Sequence, residues 1–491
     1  MVERVGDIDR EILLRYVIAK LREAPRLAQN YTRIDGSPTK YRRAYFRIKK
    51  YIDDFLLGNI ENRFVVMPGL RGVGKTTILF QIYEYLRDDK KIEQDRILYL
   101  STDELKVYLG ARITEVIDVF IDEVHQTSPV NLDKELFILI DEAHYDKEWS
   151  QTGKILYDQS KKVFLVFTGS SALSLEMSVD AARRTKKETV FPMNFSEYLI
   201  LKYDLFPPGG MAESLRELIF RGDEASIQHA SRNENELRKK MLRISKPIKK
   251  EWEDFLSCRG FPFGLGIDQI DVYERIFSMI DRVIEKDVFS AQSFSTKTRE
   301  TISRVLTFLA LQKPGGTSDS KLADKLKTSP TLIRSILDVL EKTHLIFSIK
   351  PYGGAGKIIR KPWKYYFLSP SINAAIRFKL GTYDTKDREM LGVLAENLVA
   401  SYFFRMKETV NMPPGIFYDA EKEGVDFLLQ DATGENIIPI EVGLGKKGKS
   451  QIGKAIKTYR SRYGIVISNT TEKITIKEDI IYLPIITFSF V

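Results

Sequence analysis

The stretch FVVMPGLRGVGKTTILFQIYEYL, Phe64 to Leu86, decides how the chain is read. An apolar run, Phe64 to Met67, enters the glycine-rich turn Gly69-Leu-Arg-Gly72-Val-Gly74-Lys75-Thr76 and then a segment of helical periodicity. That strand–loop–helix order is the setting a phosphate-binding P-loop (Walker A) needs. Glycines let backbone N–H groups turn inward around phosphates, and the helix N-terminus adds positive dipole. Lys75 is expected to reach the β- and γ-phosphates of ATP and Thr76 to ligate Mg²⁺. Gly69, Gly72, Gly74 and Thr77 complete the predicted nucleotide cradle.

Working outward, RILYLSTDEL (Arg96 to Leu105) reads as a second strand, and ELFILIDEAH (Glu135 to His144) as a third with Asp141 and Glu142 at its end. That is a Walker B pattern. Asp141 is placed to hold Mg²⁺ through water and Glu142 to polarise the attacking water. The letters Asp-Glu-Ala-His invite a helicase reading, but no other helicase motif accompanies them. KKVFLVFTGSSALSL (Lys161 to Leu175) is a further strand ending in hydroxyl residues. Thr168, Ser170 or Ser171 there is a candidate γ-phosphate sensor, with a serine cap on the next helix as the alternative. Strands separated by helical stretches predict a parallel, doubly wound sheet with its ligand at the carboxyl ends of the strands.

The chain has 491 residues, 43% hydrophobic, 11% aromatic and 29% charged, which predicts several soluble globular domains. No apolar run has membrane-spanning length, and the charged N-terminus lacks a signal-peptide core. A single cysteine, Cys258, excludes an internal disulfide. Together these predict a cytoplasmic protein with no membrane partner. The net charge of +9 favours a polyanionic partner, with ordinary surface charge as the plainer reading.

The segment AARRTKKETVFPMNFSEYL (Ala181 to Leu199) resembles the "GR…PLSFxEFL" signature of archaeal-type AAA ATPases, in which such a core precedes a winged helix and a nuclease-like domain. Arg184 falls on the signature's arginine, although Arg183 replaces the glycine before it. The resemblance implies that Arg184 acts as a finger on the γ-phosphate, supplied by a neighbouring subunit of a homo-oligomer. EDFLSCRGFPF (Glu253 to Phe263) and IDRVIEKDV (Ile280 to Val288) resemble two further family segments. They imply a helical lid with structural roles for Gly260 and Pro262.

From Thr301 the pattern is a helix, a short helix from Ser320 to Leu326, a turn at Thr328 to Pro330, a second helix to Lys342 and then a strand. That is a helix-turn-helix with a wing whose tip is GGAGKIIRK, Gly353 to Lys361. Arg334 is a candidate groove contact, and Lys357, Arg360 and Lys361 are candidate phosphate contacts.

MLGVLAENLVASYFF (Met390 to Phe404) reads as a helix carrying Glu396. GIFYDAEKEGVDFLLQDATGENIIPIEVG (Gly415 to Gly443) reads as paired strands bearing Asp426 and Glu441. The order resembles the restriction-endonuclease-like, PD-(D/E)XK domain of the same ATPase family. It implies a site in which Glu396, Asp426 and Glu441 bind Mg²⁺ or Mn²⁺ as catalytic residues. Gly443 stands where that motif has a lysine. Lys446 or Lys447, beyond the GLG turn, is the substitute the sequence offers, and otherwise the fold is kept without cutting. Lys454, Lys457, Arg460 and Arg462 follow on a basic, DNA-binding helix.

The expected fold is therefore α/β and multidomain: an N-terminal helical segment (1–50), a P-loop ATPase core (51–200), a helical lid (201–298), a winged helix (299–380) and a nuclease-like domain (386–491). The expected function is ATP hydrolysis coupled to DNA processing, on duplex or branched DNA. The competing expectation is a nucleotide-dependent switch acting on a protein partner with no DNA role.

Overall fold

The computed structural model describes residues 9–170, 177–289, 294–313, 315–384, 386–410, 412–431, 433–444 and 449–491. The chain divides into two compact units, Met1–Val190 and Phe191–Val491.

The first unit is built on a five-stranded, all-parallel sheet. Its strands are β1 (Phe64–Pro68), β2 (Ile97–Ser101), β3 (Leu136–Asp141), β4 (Val163–Gly169) and β5 (Lys186–Lys187), in the order β2–β3–β4–β1–β5. Parallel strands are covered on both faces, so they read as unbroken apolar runs. Every residue of β1, β3 and β4 is buried. Register pairs Met67 with Thr168 and Ser101 with Asp141, which brings the ends of β1, β3 and β4 to one edge of the sheet. Helix α1 (Arg10–Thr32) is not a separate N-terminal body. Its Leu13, Val17 and Leu21 share one apolar cluster with Phe64, Leu98, Ile138 and Leu165. Helix α2 (Arg43–Leu56) runs across the expected boundary at residue 50. Helix α3 (Lys75–Glu84) follows the P-loop.

The signature segment is divided: its Lys186–Lys187 forms β5 of the P-loop sheet, and the second unit opens on its later part, from Phe191. Asn194 caps the helix Phe195–Tyr203 and Glu197 completes a capping box. Glu197 also takes Arg405 at 3.3 Å, and Tyr198 and Lys202 both bond the fully buried Glu251, at 2.6 and 2.8 Å. The signature's glutamate and tyrosine therefore hold a structural corner. Gly260 is part of it: its carbonyl accepts from Met193, its amide donates to Ser371 Oγ at 3.0 Å, and a Cβ would collide with Ser369 Oγ. Pro262 opens the tight turn Pro262–Gly264.

Helices α4 (Asp319–Leu326) and α5 (Pro330–Lys342) begin at serine caps, Ser318 and Ser329, with Pro330 in the first turn of α5. Strands β6 (Ile346–Pro351) and β7 (Lys364–Phe367) follow as an antiparallel pair. The expected wing tip differs, because Gly354 caps a short helix, Ala355–Arg360, between them. The expected break between 299–380 and 386–491 is also bridged. After helix α6 (Arg388–Thr409) come β8 (Gly415–Tyr418), β9 (Phe427–Gln430), β10 (Ile437–Gly443), helix α7 (Lys449–Tyr459), β11 (Gly464–Ser468), β12 (Thr475–Lys477) and β13 (Ile480–Pro484). They join β6 and β7 in one eight-stranded sheet, order β12–β13–β11–β10–β9–β8–β6–β7, because β8 pairs parallel to β6 through Phe417 opposite Lys350.

One buried acid ties this unit together. Glu234, on the helix Glu224–Met241, accepts from Thr487 Oγ1 at 2.6 Å and from the Ile474 amide at 2.9 Å. Replacing it with Ala leaves that amide buried without its acceptor, a loss of about 1–3 kcal/mol. Glu234→Ala is expected to lose that much unfolding free energy, read as a lower urea midpoint. An unchanged midpoint would remove Glu234 from the stabilising role.

Candidate functional site

The P-loop takes its shape from its glycines. Gly72 and Gly74 sit at φ 80° and 90°, where a side chain is strained, and a Cβ on Gly69 would strike the Val190 carbonyl. The buried ammonium of Lys75 donates to the Gly69 carbonyl at 2.9 Å and lies 3.4 Å from that of Leu70. Thr76 is half-buried in the first turn of α3, and its hydroxyl donates to Asp141 Oδ2 at 2.7 Å. Thr168, fully buried on β4, bonds the other carboxylate oxygen of Asp141. Burial raises the pKa of Asp141, and the adjacent Glu142 charge adds to this; Thr168, Thr76 and Lys75 oppose it. A hydroxyl and a carboxylate paired at the mouth of a lysine-bearing glycine loop fit Mg²⁺ and a nucleotide triphosphate. Thr77 lies half-buried beside Thr76.

Glu142 adopts a left-handed conformation, φ 53° and ψ 40°, a strained state for a non-glycine residue. Its amide donates to Thr168 Oγ1 at 3.3 Å and to Asp141 Oδ1 at 3.2 Å. Its carboxylate lies 3.7 Å from Arg71 Nη1 and 3.3 Å from His144 Nδ1. Arg71 also donates to the Tyr145 hydroxyl at 3.2 Å, and the Ser170 amide donates to His144 Nδ1 at 3.4 Å. Sequence reasoning missed Arg71 and His144 as partners of Glu142. The Thr168 hydroxyl serves Asp141 and Glu142, whereas Ser171 lies outside the described residues.

Arg184 is engaged within its own unit: Nε donates to Asp158 Oδ1 at 2.6 Å and Nη1 to the Asp180 carbonyl at 2.8 Å.

In the second unit, Glu396, Asp426 and Glu441 are placed by α6, β9 and β10. Phe427 pairs with Ile440, so residues 426 and 441 stand opposite each other. Glu441 is buried. Asp426 Oδ2 accepts from the Val442 amide at 2.8 Å. Glu396 Oε1 accepts from the Tyr366 hydroxyl at 2.7 Å and lies 3.6 Å from Lys364 Nζ. Burial, then the Glu396 and Asp426 charges, raise the Tyr366 hydroxyl well above its ordinary range. Among the described residues, no three His, Cys, Asp or Glu side chains converge as a cation-binding group. Of the oxygens expected to ligate a metal, Asp426 Oδ2 is taken by an amide and Glu396 Oε1 by a tyrosine, with a lysine beside it.

The candidate DNA contacts divide. Arg334 is held by Asp319 at 3.2 Å, lies 3.9 Å from Asp338 and 4.6 Å from the Trp363 ring centroid. Lys357 pairs with Glu421 at 2.8 Å. Arg360, Lys361, Lys454 and Lys457 are exposed, with Lys454 reaching the Lys422 carbonyl at 3.3 Å. Lys446 and Lys447 lie outside the described residues.

The fold and loop define an AAA-type P-loop ATPase domain, and residues 61–199 match the family described as AAA domain. Residues 267–383 and 391–488 match two domains of unknown function. The uncharacterized protein MJ1637 of Methanocaldococcus jannaschii is 31% identical over 471 residues, covering 96% of this chain and 92% of that one. The chain belongs to the family of that protein. MJ1544 of the same organism is 24% identical over 400 residues, covering 78% of this chain and 75% of its own. Among solved structures, the Walker-type ATPase PABY2304 of Pyrococcus abyssi is similar at TM-score 0.39 and 14% identity, covering 70% of this chain and 97% of that one. No helix among the described residues is long and apolar enough to cross a membrane.

Proposed function

We propose that the protein hydrolyses ATP and couples hydrolysis to DNA, with the second unit serving as a nucleic-acid-binding module that does not cut. The reading rests on the Thr76–Asp141–Thr168 hydroxyl and carboxylate network beside Lys75, with Glu142 held one residue further on. Lys75 and the amides of the loop bind the β- and γ-phosphates, Thr76 and Asp141 hold Mg²⁺, and Glu142 orients the attacking water. The bound metal supplies charge neutralisation at the γ-phosphate. The net charge of +9 and the exposed bases of α7 support a DNA partner. A cytoplasmic setting and a homo-oligomer are part of the same reading. ATPase rates measured with and without duplex, forked and branched DNA test it: stimulation by one of them is expected, and indifference to all would favour the second reading.

That second reading, a nucleotide switch on a protein partner, draws on Arg334. Its pairing with Asp319 and stacking on Trp363 withdraw it from a groove-reading role.

Arg184 provides a test of assembly. A finger in trans must leave Asp158 for the neighbouring nucleotide. Arg184→Ala and Glu142→Gln are then each expected to be nearly inactive. Mixed, they regain activity through the roughly one quarter of interfaces that pair an intact arginine with an intact glutamate. Mixed oligomers without recovery would assign Arg184 to its own subunit.

A further inference from the structure

We propose that Lys364 is the resident cation of the Glu396 carboxylate in the second unit, standing where a divalent metal would otherwise bind. The proposal rests on the reading of this unit as a module that does not cut, and it names the group that makes it so.

Lys364 opens β7, a strand that sequence order assigns to the winged helix, yet its ammonium lies 3.6 Å from Glu396 Oε1 on α6. The contact is sheltered, with the side chains 12% and 15% exposed. The same carboxylate oxygen accepts the hydroxyl of the buried Tyr366, two residues along β7. Lys364 Nζ also lies 5.3 Å from the centroid of the Tyr418 ring, which provides a further favourable surface for a cation. One strand therefore presents both a positive charge and a hydrogen-bond donor to Glu396.

Sheltered carboxylates such as Glu396, Asp426 and Glu441 are unfavourable together unless a positive charge lies among them. A divalent ion can supply it, but Mg²⁺ sheds water reluctantly and needs oxygens arranged around it. A lysine already tethered to the sheet supplies it without that cost. Here Asp426 Oδ2 accepts from the Val442 amide and Glu396 Oε1 from Tyr366 with Lys364 beside it, so two of the oxygens an ion would use are already engaged. A cation thus reaches Glu396 from β7, a strand joined to this sheet by the pairing of β6 with β8.

The experiment titrates Mn²⁺ into the full chain, read by electron paramagnetic resonance, in an Asp141→Asn background that removes the nucleotide site's contribution. No DNA is present, so failure of the DNA reading leaves the result intact. The parent is expected to show no cluster-bound Mn²⁺. Lys364→Met is expected to gain one site, about tenfold or more tighter than any binding by the parent, because a competing unit charge has gone. Adding Glu396→Gln should abolish that gain. Mn²⁺ binding by the parent that is lost on Glu396→Gln would overturn the proposal, as would a folded Lys364→Met protein that gains no site. If Lys364→Met folds poorly, the double variant Lys364→Met, Glu396→Gln decides. A counter-ion pair requires the double variant to melt higher than the single, and a double variant no more stable than the single rejects the pairing.

Discussion

Glu142→Gln is expected to bind ATP as the wild type does and to turn it over about 10²- to 10⁴-fold more slowly, the usual worth of a positioned general base. Glutamine keeps the shape of the side chain but cannot take a proton from water. The backbone conformation should survive, because the Glu142 amide still meets Thr168 Oγ1 and Asp141 Oδ1. Lys75→Ala is the contrasting variant. On the proposed reading the Lys75 ammonium contacts phosphate in the ground state, so nucleotide binding itself should be lost. Equilibrium binding of a fluorescent ATP analogue, set beside steady-state hydrolysis, separates the two effects. Unaltered turnover in Glu142→Gln would remove Glu142 from catalysis and transfer attention to its neighbours Arg71 and His144.

The shape of the candidate nucleotide site was largely legible because its determinants are local. A P-loop is a contiguous run of residues, and the left-handed backbone at Gly72 and Gly74 follows from glycine at those positions. Asp141 and Thr168 were legible for a related reason, since each ends an unbroken apolar strand and parallel register brings those ends together. Arg71 was not, because it occupies a position at which the motif accepts any residue. Its meaning comes from the distance to Glu142.

The second unit was less legible because its arrangement depends on non-local pairing. The run containing Ile346 to Pro351 reads as a wing strand, and nothing in it announces a parallel partner beyond α6. That one pairing merges two expected domains and carries Lys364 to Glu396. The periodicity of α1 signals a helix but does not say that Leu13 and Val17 pack on the P-loop sheet. The segment read as the wing tip instead holds a helix capped by Gly354, whose carbonyl accepts from the Lys357 amide.

The basic helix α7 carries the second large expected effect. Ile452 and Ala455 bury one side of it against Leu428 and Val466, which leaves Lys454 and Lys457 exposed on the other. Arg460 and Arg462 continue the exposed bases past its end. If this surface binds duplex DNA, each base that neutralises a phosphate releases counterions, and the slope of log affinity against log salt carries about 0.9 per contact. Replacing Lys454, Lys457, Arg460 and Arg462 with Ala should therefore flatten that slope by up to about 3.6 and weaken binding about a hundredfold or more at moderate salt. Basal ATP hydrolysis without DNA should be unchanged, since the nucleotide residues all belong to the first unit. The loss should also be equal across unrelated duplex sequences, because phosphate contacts carry no sequence information. Fluorescence anisotropy across a salt series reads both quantities. A variant that binds DNA with the wild-type slope would place the DNA surface elsewhere. A wild type that binds no DNA at low salt would sink the DNA reading and leave the protein-partner switch, in which the stacked and paired Arg334 is a structural residue of the helix-turn-helix.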